Sequence, residues 1–145
     1  MLEYHWRGQE NNMVNEELIN YWIESSEEDY DTMKVLYNSK KYTWCLFVGH
    51  LVIEKLLKGV HVRNNQEHPY PPKSHDLLHI AKKSGLELDE RKEELLDIIT
   101  RFNLSARYDD FKKDFYNKCT EEYTSMQIQN VEEVRKWLKE LLMKK

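Results

Sequence analysis

Apolar residues recur in steps of three and four along most of this chain, the spacing that places side chains on one face of an α-helix. Between Asn15 and Asn38 the stripe is Leu18, Trp22, Tyr30, Met33, Leu36 and Tyr37, with a gap at Ser25 and Ser26 and one acid, Asp29, among them. It predicts a first amphipathic helix, with Asn15 as N-cap and Glu16 and Glu17 placing negative charge in the first turn. From Lys41 to Arg63 the pattern changes: Trp44, Cys45, Leu46, Phe47, Val48, Leu51, Val52, Ile53, Leu56, Leu57 and Val60 leave little polar face. Such a helix is central, touched by neighbours on several sides. Gly49 and Gly59 lie within it at a cost of about 1 kcal/mol each relative to alanine, and close helix approach accounts for them.

A loop from Asn64 to Lys73 holds all three prolines, Pro69, Pro71 and Pro72. Ser74 then caps a short helix, His75 to Ser84, which Gly85 stops at C′. A fourth helix from Asp89 to Leu104 turns Leu95, Leu96, Ile98, Ile99 and Phe102 inward. The segment Ser105 to Cys119 is polar and aromatic, a loop or a broken helix. The last helix starts at Thr120 or at Asn130 and buries Val131, Val134, Leu138, Leu141 and Leu142. From Leu86 to Lys145 there is neither Gly nor Pro, as expected of helices. The pattern predicts an all-α, up-and-down bundle of four long helices plus a short one. Residues 1–14 read as a poorly ordered extension and residues 15–145 as a single domain.

Composition narrows this without assigning a function. A chain of 145 residues suits one domain. With 22 Lys+Arg against 26 Asp+Glu the net charge is −4, so a generally basic nucleic-acid binder is excluded, whereas a local basic patch is not. Two cysteines provide no disulfide framework, and Cys45 reads as a small buried hydrophobe. The longest apolar run, Trp44 to Ile53, falls short of the about 20 residues that span a bilayer, and the N-terminus lacks signal-peptide order. The expectation is a cytoplasmic protein with no membrane partner.

Three clusters could carry chemistry. In Asn103-Leu104-Ser105-Ala106-Arg107-Tyr108-Asp109-Asp110-Phe111, Arg107 offers a donor fork suited to phosphate, with Tyr108 and Phe111 as stacking faces. The alternative is a structural salt bridge from Arg107 to Asp109 or Asp110. His50, Glu54 and Lys58 share one face at i, i+4 and i+8. There a His and a Lys face phosphate across the bundle, or Glu54 and Lys58 make a surface ion pair beside a hydrogen-bonded core His. His75 and His79, at i and i+4, have the spacing of two zinc ligands, with His68 or Asp76 the nearest candidates for a third that is not evident, and N-terminal capping by His75 and Asp76 is the favoured reading. No metal or other cofactor is expected.

With these elements placed, the sequence resembles the HEPN family, named for nucleotide-binding domains of higher eukaryotes and prokaryotes. The resemblance covers Glu17 to Leu142 and rests on three pieces in order. These are Phe47-Val48-Gly49-His50-Leu51-Val52-Ile53-Glu54-Lys55-Leu56-Leu57-Lys58, Ser74-His75-Asp76-Leu77-Leu78, and Asn103-Leu104-Ser105-Ala106-Arg107-Tyr108-Asp109-Asp110. It implies a helical bundle that dimerises through its central helices. Many members are toxins that cleave RNA without a metal, encoded beside a nucleotidyltransferase antitoxin. Their catalytic signature is an Arg followed four to six residues later by His, and no His follows His79 here. A missing general acid/base removes about 10²–10⁴ in rate. By resemblance to the shorter pattern of small standalone members, Arg107 contacts phosphate, Tyr108 stacks or hydrogen-bonds, and Asp109 orients the Arg. Asn103, His50 and Lys58 complete the phosphate-binding set, and Arg107 and Tyr108 are the catalytic candidates. The readings are a nucleotide- or RNA-binding homodimer working with a nucleotidyltransferase, a degenerate ribonuclease, or a helical interaction subunit.

Overall fold

The structure is a computed structural model that describes residues 10–143. It contains six helices: α1 (Glu10–Asn38), α2 (Tyr42–Asn64), α3 (Leu77–Lys83), α4 (Glu90–Arg107), α5 (Asp109–Lys118) and α6 (Glu121–Met143). Of the expected N-terminal extension, residues 1–9 lie outside the described residues, and residues 10–14 belong to α1. Asn15 is therefore not a cap. It is buried inside the helix, and its Nδ2 donates to the Gln66 carbonyl at 3.0 Å and to Gln66 Oε1 at 2.6 Å.

Helix α2 packs against every other helix. Helix α1 runs antiparallel to it, as shown by the Glu16–Arg63 pair at one end and the bond from Ser26 Oγ to the Val52 carbonyl (2.8 Å) in the middle. The acid on the α1 stripe is explained here, because Lys55 of α2 reaches Asp29 at 2.6 Å. Helix α6 runs parallel to α2: Gly49 faces Val131, and Gly59 faces Leu142. Helix α4 is antiparallel to α6, pairing Arg91 with Glu133. The four long helices thus alternate up and down, as the hydrophobic pattern predicts. A second short helix joins the single one expected. Trp44 departs from the predicted core: it is 47% exposed.

Helix ends follow local chemistry. Asp76, not Ser74, caps α3 by accepting from the His79 amide, so α3 starts at Leu77. Gly85, at φ +81°, closes α3 with paired bonds from the Leu86 amide to the Ala81 carbonyl and from the Gly85 amide to the Lys82 carbonyl. Asp89 caps α4, and Thr120 Oγ1 accepts from the Tyr123 amide, which selects Thr120 over Asn130 as the start of α6. The α1 terminus uses the same paired bonds, Lys41 to Leu36 and Lys40 to Tyr37, but places Lys40 rather than glycine at φ +61°.

A Cβ on Gly49 would meet Met33 Sδ at 3.3 Å and Val131 Cγ2 at 3.4 Å, whereas one on Gly59 would meet nothing nearer than 3.5 Å. Gly59→Ala therefore gains helix propensity without a clash and should stabilise the fold by up to about 1 kcal/mol. Gly49→Ala should gain less or lose stability. Thermal unfolding followed by circular dichroism checks the order; equal shifts for both variants would contradict it.

Candidate functional site

The site is built outward from Glu54. Its carboxylate is buried, so the expected surface ion pair is in fact an interior one. Lys58 Nζ donates to Oε2 at 3.1 Å, and His75 Nδ1 donates to Oε1 at 2.7 Å. Burying a carboxylate is tolerated only when charge and hydrogen bonds compensate it, and here both do. His75 lies outside α3, just before its cap, because the proline loop carries the chain back across α2. His75 neither caps α3 nor shares a helix face with His79. It grips α2 twice, by its ring on Glu54 and by its carbonyl on His50 Nε2 at 2.8 Å. Its imidazole remains more than half exposed.

His50 is fully buried. A carbonyl only accepts, so Nε2 carries the proton and Nδ1 is the acceptor. Asn103 Nδ2 donates to that Nδ1 at 3.4 Å, and Asn103 Oδ1 accepts from Arg107 Nη1 at 3.1 Å. Every donor points the same way, from Arg107 through Asn103 and His50 to the His75 carbonyl. Burial pushes the His50 pKa down, reinforced by the positive charge of Lys58, while the His75 carbonyl and Glu54 act in the opposite direction. Glu54 Oε1 lies 4.0 Å from His50 Nδ1, too far for a hydrogen bond.

Arg107 ends α4, and Tyr108, with extended backbone, is both the C-cap of α4 and the N-cap of α5. Both side chains are exposed, the guanidinium carbon 5.7 Å from the Tyr108 ring centre. Neither Asp109 nor Asp110 lies within 4 Å of Arg107; Asp109 faces Lys112 at 3.5 Å. Both acids sit in the first turn of α5, where its dipole favours them. The residue that orients Arg107 is Asn103.

The predicted set therefore divides. Arg107, Asn103 and His50 form one chain, with Tyr108 beside its outer end. Lys58 sits two turns along α2 from His50, about 12 Å away, and its ammonium is committed to Glu54 and lies 5.4 Å over the Trp22 ring. Glu54 and His75 are the members whose role the sequence reading missed. Among the described residues no three His, Cys, Asp or Glu side chains are grouped to hold a metal. Cys45 and Cys119 are buried, their thiols pushed up by burial to about 12 and about 11. No helix of the described residues is long and apolar enough to cross a membrane.

These features define a helical-bundle protein with a buried polar relay that ends in an exposed arginine. Residues 19–141 match the model of the HEPN domain, and the chain belongs to the HEPN family. No curated protein and no solved structure matches it.

His50 is held neutral, so the folded state resists a proton that the unfolded chain accepts below its ordinary value of about 6.5. His50 thus contributes full stability above that pH and loses it as pH falls towards its depressed folded value. His61, also lowered by burial, acts in the same direction. Urea unfolding between about pH 7 and 5 should show stability falling with acid, with a shallower slope in His50→Asn. An unchanged slope in that variant would contradict a neutral buried His50.

Proposed function

We propose that this protein binds the phosphate of a nucleotide or RNA through Arg107. We further propose that it works as a homodimer in the cytoplasm with a nucleotidyltransferase partner, in a toxin–antitoxin-like or nucleotide-handling system. Family membership supports the nucleotide and RNA branch. One observation carries it: the Arg107 guanidinium is held by Asn103, itself fixed on a buried neutral histidine. One donor is used in that bond, and the remaining N–H groups of the fork are left for an anion. Tyr108 beside it offers a ring to a base. In a two-fold dimer, two Arg107 side chains would converge on one groove and raise the local positive potential.

A charge-assisted hydrogen bond contributes about 1.5–3 kcal/mol, so Arg107→Ala should weaken nucleotide binding by at least about tenfold. Asn103→Ala, which frees the guanidinium without removing it, should weaken it less. Calorimetric titration with ATP and with short RNA checks both. Equal affinity in the wild type and in Arg107→Ala would overturn the reading.

A second reading, ribonuclease activity, draws on one specific feature. His75 donates its Nδ1–H to a buried carboxylate, and its ring is more than half exposed, which leaves Nε2 to take the proton of a ribose 2′-hydroxyl as that oxygen attacks the phosphorus and to return it to the departing 5′-oxygen. Such a pair would substitute for the histidine absent after Arg107. Cleavage of mixed tRNA and mRNA in EDTA should then require Arg107, His75 and Glu54 together. Cleavage that survives His75→Ala, or none by the wild type, would refute it.

A further inference from the structure

A groove of about 800 Å³ runs between the α1–α2 turn and α5, with Ala106 at the end of α4 in its floor. Four lysines line it, Lys40, Lys41, Lys112 and Lys113, with no carboxylate among its lining residues. This concentration of positive charge stands on a chain whose net charge is −4. Lys112 faces Asp109; Lys40, Lys41 and Lys113 have no carboxylate within 4 Å among the described residues. Between the lysines stand Trp44, 47% exposed, and Tyr116, 72% exposed. Trp44 and Phe47 pack at right angles, with ring centres 5.6 Å apart, a contact that restrains the exposed Trp44 ring. On α5 the positions Lys112, Lys113 and Tyr116 share one helix face.

We infer that this groove binds single-stranded nucleic acid, the lysines tracking the phosphates and Trp44 and Tyr116 stacking on bases. Cations without acidic partners, combined with exposed aromatic faces, are the recognition chemistry of single strands, whose bases are free to stack; a duplex hides them. An acidic protein segment would use the lysines but has no call on two large rings left in water. Lys40 adds an independent observation. It occupies a left-handed backbone position that glycine adopts without strain and lysine does not, at the end of α1 where the helix closes on its paired bonds. The fold alone would favour glycine there; a lysine at that position keeps an ammonium on the groove. The inference extends the nucleic-acid branch of the proposed function to a surface distinct from the Arg107 fork.

The test is fluorescence anisotropy with a labelled oligouridine of about fifteen nucleotides, over a salt series, alongside ATP titration of the same proteins. The expected result is a log–log salt slope of about −2 to −3, shallower by about 0.7 for each lysine removed. Tyr116→Ala and Trp44→Ala should each weaken the oligonucleotide about tenfold and leave ATP affinity unchanged. Tyr116, the more exposed ring, is the variant least able to disturb the fold. Lys40→Gly should raise the thermal midpoint while reducing oligonucleotide affinity, opposite signs that a purely structural lysine would not give.

Affinity that ignores both aromatic substitutions, or polyglutamate competing as well as oligouridine, would assign the groove to an acidic protein and overturn the inference. So would variants that convert a dimer to a monomer in sedimentation, because a second copy would then cover it. Loss of ATP binding in Arg107→Ala with groove variants binding oligouridine like the wild type would refute the groove and leave the Arg107 reading standing. The reverse pattern would refute Arg107 and leave the groove.

Discussion

Placing a carboxylate inside a helical bundle removes it from water, and the loss is offset only if cations and donors are brought to it. Glu54 sets that condition at the centre of this protein, on the helix that every other helix touches. Lys58 satisfies it from one turn away, and His75 satisfies it from a different element. Leaving a buried carboxylate without its cation typically costs about 3–5 kcal/mol, which is a large part of the stability of a domain this size. The demand of one side chain thus fixes where the proline loop must land. Once His75 is placed, its carbonyl is in position for His50, and the next residues begin α3 against Thr100 of α4, whose hydroxyl accepts from the Leu77 amide.

The relay from Arg107 depends on the same arrangement. A neutral histidine has one donor and one acceptor, and each is used once. If the His75 carbonyl takes the Nε2 proton, Nδ1 must accept, so Asn103 must present its amide nitrogen and turn its oxygen to Arg107. An exposed arginine is thereby oriented by a backbone carbonyl three hydrogen bonds away. This explains why Asp109, next but one in sequence, has no part in holding it. Chemistry at the surface is set here by hydrogen-bond bookkeeping in the interior.

Charge is distributed unevenly around that core. Between α1 and α6 two cations are matched: Arg135 and Lys139 share Glu27, whose carboxyl is held below its usual range chiefly by the Lys139 bond, and Arg135 also lies 3.6 Å over the Tyr30 ring. At the α1–α2 turn and on α5 the lysines are largely unmatched and stand beside exposed rings. The first surface stabilises the bundle, and the second is available to a ligand. The interior relay and the lysine groove meet where α4 gives way to α5, at Ala106 and Arg107.

Much of the fold was legible in the chain because helix periodicity, caps and breakers are local properties. The stripe from Leu18 to Tyr37, the nearly all-apolar Lys41–Arg63 segment and the Gly85 stop required only neighbours within a turn or two. HEPN membership was legible for a related reason, since its motifs lie at fixed spacings along the helices. What sequence could not reveal was which polar groups meet. His75 reads as a cap or a metal ligand until tertiary packing places it on Glu54. Glu54 and Lys58 look like a surface pair until α2 is surrounded, and Trp44 looks like core until the bundle leaves its ring outside. The resemblance gives Arg107 to Asp109, but α4 continues through Arg107 and so places Asn103, one turn back on the same face, against its guanidinium. The chain by itself determined the helices, their order, the family and the candidates Arg107, Asn103 and His50. Tertiary structure alone decided how they are joined and that Glu54 and His75 belong with them, because burial and hydrogen-bond partnership depend on residues far apart in sequence.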